Sequence, residues 1–123
     1  MENNQIVKKW LESFGKNVPN SIIKNHVTSC GNHLWHIFTW GEVSCIEGDT
    51  AKSAFDKLHY HKAIKFYGGY SAEITNISTI NKVTSAKIDK EQYTDVYIVA
   101  EDFSWTYVHT HESDCGPYFY TIK

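Results

Sequence analysis

Two pairs of histidines in this chain have the spacing H-x-H, His59/His61 and His109/His111. Residues two apart share one face of an extended strand, so such a pair can chelate a single transition-metal ion. Zinc still needs a third or fourth ligand. Beyond His111 the candidates are Glu112, Asp114 and Cys115, the last completing the spacing H-x-H-x3-C. That spacing matches no established zinc signature, and Cys115 lies across an expected turn from the pair. An exposed or hydrogen-bonded pair is the plainer expectation. The expectation is therefore no metal and no cofactor, with His109, His111 and Cys115 as the residues from which a metal site would be built. His59 and His61 flank Tyr60 at the exit of an expected helix, where a surface position is expected.

A second chemistry would use Cys115 as a nucleophile, since it precedes Gly116 and lies near His111 in sequence. That requires a thiolate stabilised by imidazolium and a third group orienting the imidazole. Glu112 adjoins His111, so on a strand it points to the opposite face and is badly placed for that task. His36, His111, Glu112 and Cys115 are the residues on which a catalytic cluster would draw. Cys30 and Cys45 read as small core residues. Gly68-Gly69 lacks the Lys-Ser/Thr pair of a phosphate-binding loop, and no spaced carboxylate pair can be placed on one cleft.

The element that must position His109 and His111 is the aromatic stretch over residues 102–119. At period two, Phe103, Trp105, Tyr107, His109 and His111 fall on one face, and Ser104, Thr106, Val108 and Thr110 on the other. Trp105 and Tyr107 belong either to the core or to a groove whose polar end is the histidines. With His111, Glu112 and Tyr118 they make up the candidate binding residues. Residues 113–117 are a turn by composition, and 118–122 return as a final strand.

Two more stretches read as strands apolar on both faces. In 95–100, Val96 and Ile98 oppose Tyr97 and Val99. In 33–40, Trp35 and Ile37 oppose Leu34, Phe38 and Trp40, with His36 among them. Such strands sit centrally in a sheet covered by helices. Residues 62–67 and 70–75 read as a hairpin closed by a two-residue Gly68-Gly69 turn.

Helical spacing places Ile6, Val7, Trp10, Leu11 and Phe14 on one face of residues 3–14, with Gly15 as the stop. Asn20 or Ser21 can cap a short helix carrying Ile22, Ile23, His26 and Val27, followed by a turn at Cys30. Asp49 or Thr50 can cap another through Ala51, Ala54, Phe55 and Leu58. Residues 76–90 leave helix, loop and strand open. The expected fold is α+β: one domain over 1–123, an antiparallel sheet of about five to six strands, N-terminal helices and one inserted helix.

Composition narrows the partners. The 123 residues carry a formal charge of -2 and no arginine; all 12 basic residues are lysines. Bidentate guanidinium contacts to phosphate or guanine are thus absent, and no nucleic-acid partner is expected. Aromatic content of 15% suits anchors in a core or an interface. Three cysteines are an odd count and too sparse for a disulfide framework. No apolar run is long enough for a membrane span, and the first residues lack the apolar core of a signal peptide. A reduced, cytoplasmic setting away from membranes is the expectation.

Several phrases recur together in a known order: Leu34-Trp-His-Ile-Phe-Thr-Trp40, Glu47-Gly with Ala51 and Phe55, Asp95-Val-Tyr-Ile-Val99, Asp102-Phe-Ser-Trp-Thr-Tyr-Val108, Thr110-His-Glu112 and Cys115-Gly-Pro-Tyr-Phe119. As a set, over residues from about 31 to 119, they resemble a family of small uncharacterised bacterial proteins, a domain of unknown function seen mainly in low-GC Gram-positive bacteria. The resemblance implies a compact cytoplasmic bacterial domain. It takes in Trp35, His36, Trp105, Tyr107, Thr110, His111, Glu112, Gly116, Pro117 and Tyr118, and does not require His109, His59 or His61.

Two functional expectations follow. The leading one is a non-enzymatic domain, immunity-like or regulatory, that presents an aromatic and acidic surface to a protein partner. The alternative is a small-molecule-binding protein or metal-dependent enzyme using His36, His111, Glu112 and Cys115. Bringing His36 and His111 together beside an open pocket would favour the alternative. Burying His111 against backbone would remove it. The oligomeric state is not set by either.

Overall fold

The computed structural model describes residues 3–27, 33–40, 43–68, 74–78, 80, 82–91, 94–112 and 114–122. The amphipathic N-terminal pattern folds as helix α1 (Asn3–Phe14), ended where Gly15 N–H bonds to Leu11 O at 2.8 Å. Pro19 then opens α2 (Asn20–Ile22), which runs into a π-helical turn over Ile23–Val27. The cap is Pro19, with no side-chain hydrogen bond, rather than Asn20 or Ser21. The turn expected at Cys30 lies outside the described residues.

Residues 33–40 are not a strand. They turn into the short helix α3 (His36–Thr39), with Leu34, Ile37 and Phe38 buried and Thr39 and Trp40 exposed. That i, i+3, i+4 spacing is a helical face, which the β-favouring aromatics masked. Next come β1 (Ile46–Glu47) and α4 (Gly48–Asp56), whose N-cap is Glu47 and whose first residue, Gly48, has φ +67. Neither Asp49 nor Thr50 is the cap.

The hairpin of β2 (Lys62–Tyr67) and β3 (Ile74–Ser78) pairs Phe66 with Ile74, a register too long for a two-residue turn. Gly68 instead gives its N–H to Asp95 O at 3.0 Å, extending contact toward the neighbouring strand. Gly69, the other half of the expected turn, lies outside the described residues. The segment left open by sequence holds helix α5 (Ser85–Asp89), capped by the Thr84 hydroxyl accepting from Lys87 N–H. Asp56 also takes Ser85 N–H at 2.8 Å and its hydroxyl at 2.6 Å, fastening α5 beside α4. Strands β4 (Val96–Ala100), β5 (Trp105–His109) and β6 (Tyr118–Thr121) complete a six-stranded antiparallel sheet of order β1-β6-β5-β4-β2-β3.

β4 is buried throughout and shows why the sheet is covered on both sides. Tyr97 and Val99 pack with Ile6, Trp10, Phe14 and α3 in one cluster. Val96, Ile98 and Ala100 pack with Phe55, Ile88, Trp105 and Tyr107 in another. The architecture is α+β, with α1 and α3 on one face and α4 and α5 on the other. Trp10 is fully buried, and its Nε1–H donates to Thr106 Oγ1 at 2.9 Å. The Thr106 hydroxyl donates in turn to Ile98 O at 2.8 Å. One exception breaks the expected alternation: Phe103, at φ 58 in the β4–β5 connection, packs with the α1 cluster instead of the Trp105 face. No helix among the described residues is long and apolar enough to cross a membrane.

Candidate ligand-binding site

The register of β4 on β5 builds the site. Val96 pairs with His109, so Asp95, one residue earlier, comes level with the chain just past the end of β5. There Asp95 Oδ1 accepts His111 backbone N–H at 2.7 Å and lies 2.8 Å from His111 Nδ1. A carboxylate can only accept, so Nδ1 carries a proton, and in the neutral ring Nε2 is the nitrogen left with the lone pair. The Asp95 side chain is 9% exposed and that of His111 is 35%, so the pair runs from interior to surface.

Tyr97, two residues along β4, fixes the other wall. Its fully buried hydroxyl accepts Trp35 N–H at 3.2 Å, which seats the start of α3 over the same end of the sheet. Burial drives the Tyr97 phenol well above its usual range, so it stays protonated. Trp35 then lies 5.9 Å from the His111 ring and 4.3 Å from that of His36, centroid to centroid. His33 lies 5.1 Å from His36 and 5.7 Å from His111. His36 Nδ1 rests on His26 O, and partial burial lowers the His36 pKa from its ordinary 6.5. His33, His36 and His111 thus form one imidazole wall backed by Trp35.

The chain between β5 and β6 is pinned by Thr110. Its hydroxyl lies 2.8 Å from Glu112 O and also reaches Cys115 O. Cys115 N–H bonds to Glu112 O at 3.1 Å. Gly116 takes φ +81 with a cis bond to Pro117, a conformation that suits glycine, and a Cβ there would come within 3.1 Å of the Tyr118 ring. This corner, the N-terminal end of α4 and Asp89 at the C-terminal end of α5 enclose a cleft of about 550 Å³, with His109, His111, Glu112 and Cys115 in its lining. Among the described residues Asp49, Asp89 and Glu112 line it with one lysine, Lys52, which pairs with Asp89 at 2.9 Å.

A family model described as a domain of unknown function, DUF4275, matches residues 3–119. The chain belongs to that family. No curated protein and no solved structure matches it.

In this DUF4275 domain the two members of the second H-x-H pair take different partners. His109 Nδ1 lies 3.6 Å from Asp89 Oδ1, whereas His111 turns to Asp95 and Trp35. Among the described residues no three His, Cys, Asp or Glu side chains stand arranged to hold a metal ion. Cys115 Sγ lies 3.6 Å from Glu112 Oε2, and burial together with that carboxylate raises its pKa. The thiol therefore lacks the electropositive surroundings of a nucleophile. Burial likewise pushes Cys45 up to about 12. Trp105, Tyr107 and Tyr118 are 8%, 0% and 2% exposed. Tyr107 stacks on Phe55 at 4.3 Å, and Tyr118 packs on Phe38 at 5.0 Å. All three rings are core side chains, and Trp105 lies at the other end of β5, lining a separate pocket with His59 and His61. His59 and His61 are exposed.

Sequence reasoning missed Asp95 and His33. The signal for Asp95 was an acidic residue one step ahead of a two-sided strand that pairs with the histidine strand. Its use depends on the register.

Proposed function

We propose that this domain binds a small polar ligand at the cleft edge formed by His111 and Glu112, with the His111 Nε2 lone pair as the acceptor that the ligand engages. The observation that carries this reading is the double contact of Asp95 Oδ1 with the main chain and ring of His111. A carboxylate spent on orienting a half-exposed imidazole is the usual support of an imidazole that accepts a proton or a Lewis acid. The cleft volume of about 550 Å³ lies in the range of small-molecule sites. Three carboxylates against one lysine favour a ligand with a positively charged group. His36 does not line this cleft; its ring and that of His111 each lie against His33 and Trp35, which stand between them in the contact network.

A protein-partner reading keeps one supporting observation. Trp40 is 55% exposed and stacks on His26 at 4.0 Å, next to the same wall. The other aromatic anchors expected at such an interface are core side chains.

Screening a library of small polar and cationic metabolites by amide and histidine chemical shifts tests the proposal. Binders should move His111, Glu112 and Cys115, and His111→Ala should abolish the response. Responses confined to the His59/His61 end, or unchanged in His111→Ala, would contradict it.

A further inference from the structure

We infer that Glu112 is a proton-controlled latch on the His111 edge: it pairs with Nε2 when His111 carries a second proton and leaves that nitrogen to a ligand when the ring is neutral. The inference rests on the reading of His111 as the ligand acceptor and adds how that acceptor is regulated.

The geometry is that of one imidazole between two carboxylates. Asp95 Oδ1 lies 2.8 Å from Nδ1, and Glu112 Oε1 lies 3.6 Å from Nε2. The two carboxylates are not equivalent. Asp95 is 9% exposed and also holds the His111 backbone N–H, so it is anchored by more than the ring. The Glu112 side chain is 55% exposed, and its other oxygen lies 3.6 Å from Cys115 Sγ.

A neutral His111 with its proton on Nδ1 turns a lone pair toward Glu112. Bare nitrogen and carboxylate oxygen are both acceptors, and no hydrogen bond joins them. A second proton makes Nε2 a donor, and the same contact becomes a charge-assisted pair. The charged ring then has an acceptor at each nitrogen and offers a ligand no lone pair. The neutral ring keeps one free at the cleft that His111 and Glu112 both line. Gain of the proton closes the edge, and its loss opens it.

The other groups around the ring do not supply this switch. His33 stands 5.7 Å away and adds repulsion when charged; Trp35 stands 5.9 Å away and carries no charge. His36, on α3, feels both Asp95 and Glu112, and burial lowers its pKa. Elsewhere in the cleft lining, Lys52 is paired with Asp89, which also lies 3.6 Å from His109, and Asp49 is the remaining carboxylate.

The experiment follows the Glu112 carboxyl carbon and the His111 ring nitrogens by NMR across the titration ranges of carboxylates and histidines. Besides its own titration, Glu112 should show a second inflection that coincides with loss of the His111 Nε2 proton. His111→Gln should remove that inflection. Glu101→Gln, just past the far end of β4, should leave it. Mass-resolved labelling with diethyl pyrocarbonate, which reacts with an unprotonated imidazole nitrogen, reads access to Nε2. Glu112→Gln should move the rise of His111 labelling to lower pH by about 0.2–0.7 unit, as loss of a half-exposed ion pair predicts. Circular dichroism confirms that each variant is folded. A Glu112 carbon blind to His111, an inflection that survives His111→Gln, or a labelling profile unmoved in Glu112→Gln overturns the inference. None of these readouts uses a ligand. A failed latch leaves the ligand site standing if the metabolite screen still moves His111, and a failed screen removes the ligand reading while leaving the measured coupling intact.

Discussion

One oxygen of Asp95 holds His111 at two points, 2.7 Å from its backbone nitrogen and 2.8 Å from Nδ1. The first contact fixes where the chain leaves β5, and the second fixes which way the ring faces. Asp95→Ala removes the one acceptor of both contacts, and hydrogen bonds to charged groups contribute about 1.5–3 kcal/mol. Urea unfolding should show a loss of about 2 kcal/mol, while Asp114→Ala, on the exposed turn, should stay within about 0.5 kcal/mol of wild type.

Trp10 and Thr106 couple α1 to the middle of the sheet. In Thr106→Val the indole N–H of a fully buried tryptophan loses its acceptor, and Ile98 O loses its hydroxyl donor. A buried donor left without a partner costs about 1–3 kcal/mol. The variant should unfold at correspondingly lower denaturant, with a shift in Trp10 fluorescence, although its shape is nearly conserved.

The middle of the sheet was legible where local pattern and tertiary position agreed. Val96 through Val99 are apolar on both faces and do lie in a sheet covered on both sides. The helical spacing around Trp10 likewise gave α1 its extent and its stop at Gly15. Residues 33–40 misled because Trp, Ile, Phe and Thr favour strands, while the burial of Leu34, Ile37 and Phe38 follows a helix. Phe103 left the expected face because a positive φ in a turn reverses the side-chain direction that alternation assumes. At the site, His36, His111 and Glu112 could be singled out by type. Asp95 and His33 could not, because their roles depend on a strand register and on the seating of α3 by Tyr97.

Acid should unfold the domain partly through Glu91. Burial alone would raise its pKa, but the Tyr67 hydroxyl and the Lys65 ammonium, 2.9 Å from Oε2, outweigh that and lower it from 4.5. A carboxyl depressed in the fold contributes stability that is present above its unfolded value and is lost as pH falls through the folded value. Wild-type stability should therefore decline as pH drops below about 4.5, and Glu91→Gln should flatten that part of the profile. Equal acid slopes in both proteins would contradict the role given to Glu91.

Thiol chemistry gives a further check. Cys45, held up to about 12 by burial, and Cys115, raised by burial and Glu112, should both be alkylated by iodoacetamide more slowly at neutral pH than a free cysteine. Glu112→Gln should speed labelling at Cys115 and leave Cys45 unchanged. Fast modification of wild-type Cys115 would restore it as a candidate nucleophile.

The account turns on His111 being locked by Asp95 with Nε2 bare. Long-range ¹H–¹⁵N spectra of the histidine rings read this directly. Wild-type protein above the titration range of histidine should show His111 as the Nδ1–H tautomer alone, and Asp95→Asn should change its tautomer or let the two forms mix. A wild-type His111 that carries its proton on Nε2, or that already averages between tautomers, would contradict the proposed site.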